Sequence, residues 1–97
     1  MSYEVIWTQR AIEDVQRLYH FLAEKSIIAA KAAIEAILQK AEILDIQPNA
    51  GRPADDLDPE HIELIIPCGA SGYVMLYEII DEDVVILVVR HQKEAGY

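Results

Sequence analysis

Cysteine is almost absent from this chain: Cys68 is the single one in 97 residues. An internal disulfide is therefore excluded, and a reducing cytoplasm is the natural expectation. Long apolar runs are missing too. The longest, Val84 to Val89, has six residues, far short of the roughly 20 that a membrane-spanning helix needs. No cationic-then-apolar leader opens the chain. Repeats, low-complexity tracts and linkers are also absent, so residues 1–97 are expected to form one domain around one core, for which 53% hydrophobic content is ample.

Positive charge is the other scarcity. Eight basic residues stand against seventeen acidic ones, a net charge of −9. The deficit is uneven: residues 1–50 carry net −2, whereas residues 51–97 carry net −7, with Arg52, Arg90 and Lys93 their only Lys or Arg. A protein that grips DNA or RNA neutralises several phosphates with Lys and Arg. An acidic second half repels a polyanion, which counts against nucleic acid as the direct ligand. His20 and His61 have no companion at metal-ligand spacing and no Cys/His pair exists, so neither a metal site nor a cofactor is expected.

What the chain does have is a patterned last third. Ile62–Ile66, Gly72–Ile80 and Val84–His91 read as three consecutive strands, antiparallel because short connections join them. The run Val84-Val85-Ile86-Leu87-Val88-Val89 is apolar and rich in β-branched residues, as a strand buried on both faces at the centre of a small sheet would be. Met1–Trp7 alternates as a short first strand whose place in the sheet the pattern does not reveal. Thr8 caps a helix ending near Lys25, with Ala11, Val15, Leu18 and Leu22 on its apolar stripe. Glu13, Asp14, Gln16, Arg17 and His20 fall on the opposite face. Ser26 caps a second helix, Ile27 to Ile46, with Ala30, Ile34, Ile37, Leu38, Ala41 and Leu44 inward. Pro48 to Pro53 forces a turn, and Ala54–Glu60 is an acidic surface loop. The expected fold class is α+β in the order β-α-α-β-β-β, a helical hairpin packed on a small, mainly antiparallel sheet.

Ionisable groups concentrate after the last strand, in Arg90-His91-Gln92-Lys93-Glu94-Ala95-Gly96-Tyr97. Arg90 and His91 must point to opposite faces. A His with Arg, Lys and Tyr nearby could serve acid–base cleavage of a phosphodiester, so Arg90, His91 and Tyr97 are the catalytic candidates in that reading. The plainer reading has His91 finishing the strand and Tyr97 docking its ring. Arg52, held between Gly51 and Pro53, either anchors its loop to a carboxylate or faces a ligand. Cys68 has no base placed beside it and is not expected to act as a nucleophile.

Several stretches resemble the ParE-type toxins of bacterial toxin–antitoxin modules, within the RelE/ParE superfamily. They are Tyr3–Thr8, Ala11–Asp14, Leu22–Lys25, Pro48–Pro53, Ile66–Gly69, Ser71–Val74, Leu76-Tyr77 and Arg90–Tyr97. The resemblance implies the β-α-α-β-β-β fold reached above, and an antitoxin that inactivates the toxin by lying across it. It further implies inhibition of DNA gyrase, and hence plasmid stabilisation or growth arrest. Arg52, Arg90, His91, Lys93 and Tyr97 are then the candidates for contacting the target. RelE-type relatives instead cleave mRNA on the ribosome with a basic sheet carrying Lys, Arg and a C-terminal Tyr or His. Of those groups this sequence offers Arg90, His91 and Tyr97, without the cluster of additional Lys and Arg. Family members usually carry Arg where this chain has Glu78. That reversal keeps a further alternative open, a weakened homologue that binds antitoxin without poisoning a target. Self-association is compatible with so hydrophobic a chain, but no residue pattern specifies it.

Overall fold

The computed structural model describes residues 2–54, 58–69 and 71–93. Strand β1 (Glu4–Trp7) leads into helices α1 (Gln9–Ala23) and α2 (Ile27–Ile43). Four strands follow: β2 (Arg52–Pro53), β3 (Ile62–Cys68), β4 (Ser71–Ile80) and β5 (Asp83–His91). Both helix starts carry the expected caps. Thr8 and Ser26 are extended, and their hydroxyls accept from the amides of Ala11 and Ala29, each at 3.1 Å. Helix α1 buries Ala11 and Leu18, with Val15 and Leu22 packed beside them. Helix α2 ends at Ile43, three residues earlier than its periodicity suggests, because the amides of Ile46 and Gln47 both turn back onto the Ile43 carbonyl ahead of buried Pro48. Leu38, expected inward, is exposed, and Ala33 takes a buried position instead.

The strands form one sheet in the order β1-β5-β4-β3-β2. All neighbours are antiparallel except β1 and β5, which run parallel with Val5 beside Val84 and Trp7 beside Ile86. The first strand thus lies at an edge. Its arrival outside β5 corrects one expectation: β4, not β5, is the middle strand. Residues Gly72 to Tyr77 are all buried, whereas Val85 and Leu87 of β5 are only half-buried. The two-residue β2 was also unforeseen, since Arg-Pro reads as part of a turn.

Helices cover one face of the sheet. Leu64 and Ile66 of β3, Tyr73, Met75 and Tyr77 of β4, and Val84, Ile86 and Val89 of β5 pack there against Ala11, Leu18, Ala33, Ile37, Ala41 and Leu44. Fully buried Tyr77 also fixes the turn after α2. Its hydroxyl donates to the Pro48 carbonyl (2.7 Å) and accepts from the Gly51 amide (3.1 Å). Gly51 has to be glycine for this, because a Cβ would lie 2.5 Å from the Glu63 carbonyl oxygen and 2.9 Å from the Tyr77 hydroxyl. Among the described residues no helix is long and apolar enough to cross a membrane.

Candidate functional site

The end of β5 is aimed by an irregularity that α1 holds in place. Register runs from Leu76 opposite Val88 to Tyr77 opposite Ile86, so Leu87 is an extra residue, a β-bulge. A bulge disturbs the strand ladder, and side chains at the start of α1 brace the backbone beside it. The Thr8 hydroxyl donates to the carbonyl of Ile86 (2.8 Å) and lies 3.3 Å from that of Leu87. The Val89 amide donates to the Asp14 carboxylate at 3.0 Å. Asp14 is braced by Arg10 at 4.0 Å and Arg17 at 3.9 Å. It therefore faces the sheet, correcting the expectation of a solvent-facing residue: a helical wheel counts a carboxylate as polar surface and cannot register an amide waiting on another strand.

The bulge changes which side chains share a face. Simple alternation from Val84 and Ile86 would put Val88 and Arg90 under the helices. With Leu87 inserted, Val89 and His91 take that face, and Arg90, paired with Val74, points to the uncovered one. His91 meets Tyr73 edge-on, ring centroids 5.5 Å apart at 87°. Its Nδ1 accepts from the Lys93 amide at 3.1 Å, so it finishes the strand as the plainer reading supposes. Burial, and secondarily Cys68 nearby, pushes the Tyr73 phenol above its ordinary pKa, so it is no ready base. Lys93 is exposed. Tyr97 lies outside the described residues.

On the uncovered face, Arg90 donates from Nη1 to the carbonyls of His91 (3.1 Å) and Gln92 (3.3 Å). Arg52 is bound to Glu63 at 2.8 Å; that carboxylate is nearly buried, and this is the anchoring role open to Arg52 from sequence. The two arginines sit on β5 and β2, three strands apart in the sheet order, and each is engaged by groups beside it rather than by the other. Between them lie apolar Val74, Leu76 and Val88 and a second acid, Glu78, whose carboxylate is 3.9 Å from His61 Nε2. Asp58 lies on the same nitrogen at 3.4 Å. His61 is thus accompanied by carboxylates that the sequence spacing did not suggest. No group of ligating side chains capable of holding a metal ion occurs among the described residues.

A different surface flanks the last turns of α2. A trough of about 330 Å³ runs between α2 and β1, floored by Val5, Trp7, Leu38 and Ala41. A second, of about 520 Å³, lies along Gln39, Ile43, Ile46 and Gln47. Glu42 and Asp45 border both. Beside the first trough, β1 is the outermost strand of the sheet, with no strand on its outer side among the described residues. The Glu4 and Thr8 amides bond inward to Glu82 and Ile86, so the backbone groups of Val5 and Trp7 point outward.

Comparison with known proteins gives these features a context. Residues 5–96 match the family model described as the ParE toxin of the type II toxin–antitoxin system parDE. Toxin RelE3 of Caulobacter vibrioides is 35% identical over 85 residues, covering 88% of this chain and 89% of that protein. Among solved structures, a chain of the chromosomal ParDE system of P. aeruginosa superposes with a TM-score of 0.72 at 18% identity, covering 93% of this chain and 96% of that one. A chain of the RelBE2 toxin–antitoxin complex of Mycobacterium tuberculosis superposes with a TM-score of 0.67 at 25% identity, covering 95% and 100%.

Proposed function

The chain belongs to the ParE toxin family of type II toxin–antitoxin systems, and from that premise we propose that it inhibits DNA gyrase in the cytoplasm until a cognate antitoxin neutralises it, serving plasmid stabilisation or growth control. The observation that carries this reading is the match to the ParE toxin model along residues 5–96. Charge supports a binding mode of action over catalysis. A phosphodiester transition state is stabilised by clustered cations, and here Arg52 is tied to Glu63 while Arg90 turns to its own chain's carbonyls. In this reading Arg90, His91 and Lys93 meet the target, with the exposed side of Arg52 as an outlying contact; Tyr97, outside the described residues, is a further candidate. The antitoxin pairs a strand with the outward backbone of Val5 and Trp7 or lays a helix against α2.

A ribosome-dependent ribonuclease using Arg90, His91 and Tyr97 is the second reading, favoured by the likeness to Toxin RelE3. The third, a weakened homologue, is favoured by Glu78, an acid at a position where the resemblance drawn from the sequence implies Arg. Induced expression in a bacterial host without the antitoxin separates them. Growth arrest with a DNA-damage response is expected. Arrest without that response, abolished by Arg90→Ala or His91→Ala, would favour the ribonuclease. Absence of arrest that Glu78→Arg restores would favour the weakened homologue.

A further inference from the structure

We propose that the ridge formed by Glu42 and Asp45, with the apolar troughs on either side, docks a cationic amphipathic segment of the antitoxin, one that presents Lys or Arg beside the ridge and apolar side chains to a trough. The proposal rests on the reading of this chain as an antitoxin-bound toxin and adds the sign and position of the charge in that complex.

Three observations meet at the ridge. First, the two acids stand where their own helix disfavours them. The C-terminal end of a helix carries partial negative charge and is stabilised by cations. Glu42 lies in the last turn of α2 and Asp45 just beyond it, so both oppose the helix they sit on.

Second, nothing on their own helix compensates them. Positions three and four residues away from Glu42 are Leu38, Gln39, Asp45 and Ile46, none of them cationic. Lys40, two residues before Glu42, falls on another side of the helix and borders a different hollow, against Ile66 and Pro67. No ion pair engages Glu42 or Asp45 among the described residues, and neither trough is lined by Lys or Arg.

Third, the flanking surface is apolar and open. Leu38, Ile43 and Ile46 are 45%, 39% and 75% exposed on the turns that carry the acids. Apolar floors bordered by like charge fit an amphipathic segment of opposite charge. A chain with net charge −9 also draws a cationic partner in from a distance and holds off an acidic one.

The test uses the full chain and the protein encoded by the reading frame adjacent to its own. Their dissociation constant is measured by calorimetry from about 50 mM to about 500 mM NaCl, a range over which exposed charge pairs become screened. The native pair should weaken as salt rises. The double variant Glu42→Lys/Asp45→Lys should bind about tenfold more weakly at the lower salt, the scale of two exposed attractions turned into repulsions. Glu24→Lys, at the opposite end of the hairpin, should bind as the native chain does. Because the double variant relieves a helix end of like charge, its thermal midpoint should be unchanged or higher, which separates lost docking from lost folding. Unchanged or tighter binding by a folded double variant overturns the proposal and leaves the antitoxin reading standing. Failure of the native chain to bind that protein at all overturns both.

Discussion

Helices α1 and α2 are similar in length and lie side by side, yet they relate to the sheet in opposite ways. Helix α1 is committed to the interior by its polar groups as much as by its apolar stripe: Asp14 accepts from the Val89 amide of the bulged β5, and the Thr8 hydroxyl adds a second donor to the Ile86 carbonyl. Helix α2 attaches through small residues. Its buried positions are Ala30, Ala33, Ile37 and Ala41, and its larger apolar side chains at Ile27, Ile28, Leu38 and Ile43 are exposed. Alanine lets a helix approach closely while burying little area per residue. One helix therefore shapes the strand that ends in Arg90 and His91, and the other leaves an apolar surface exposed.

Substitutions can break or sharpen that contrast. The largest effect is expected at Ile37, the one large side chain that α2 fully buries. Ile37→Ala should cost about 3 kcal/mol in denaturant unfolding, and a loss under 1 kcal/mol would mean that α2 is attached otherwise. Asp14→Ala comes next. It leaves the Val89 amide without its acceptor beneath a helix, for about 2 kcal/mol, and hydrogen exchange at Val89 should accelerate beyond what the global loss explains. Asp14→Asn, which keeps an acceptor, should recover part of that stability. Thr8→Val removes a helix cap together with the bond to Ile86 and should cost about 1 kcal/mol. Ile46→Ser should change stability by no more than about 0.5 kcal/mol, because the side chain is already in water. Any effect of that change belongs in antitoxin affinity. A large stability loss there would erase the distinction between the helices.

Much of this arrangement was legible in the sequence because it is written in local periods. The caps at Thr8 and Ser26, the α1 stripe and the three late strands all follow from spacing within a few residues. What escaped is what depends on distant partners. The pairing of β1 with β5 joins the two ends of the chain and leaves no mark in either segment. The bulge at Leu87 hides within six consecutive apolar residues, where either register looks equally well buried. Asp14 looked like surface because its partner, an amide 75 positions away, carries no side-chain signal. Of the candidate site residues, Arg52 was legible as an anchor through its rigid turn. Opposite faces for Arg90 and His91 were also legible, but which of them faces the helices was not, since the bulge sets it.

In the proposed function this chain acts by holding a protein target and not by cleaving RNA. The most direct measurement adds the purified chain to DNA gyrase and follows supercoiling of relaxed plasmid, with ribosome-bound mRNA incubated in parallel. The account predicts loss of supercoiling with accumulation of cleaved DNA, reversed by the antitoxin, while the mRNA stays intact. Unimpaired supercoiling alongside mRNA cleavage that Arg90→Ala abolishes would contradict it.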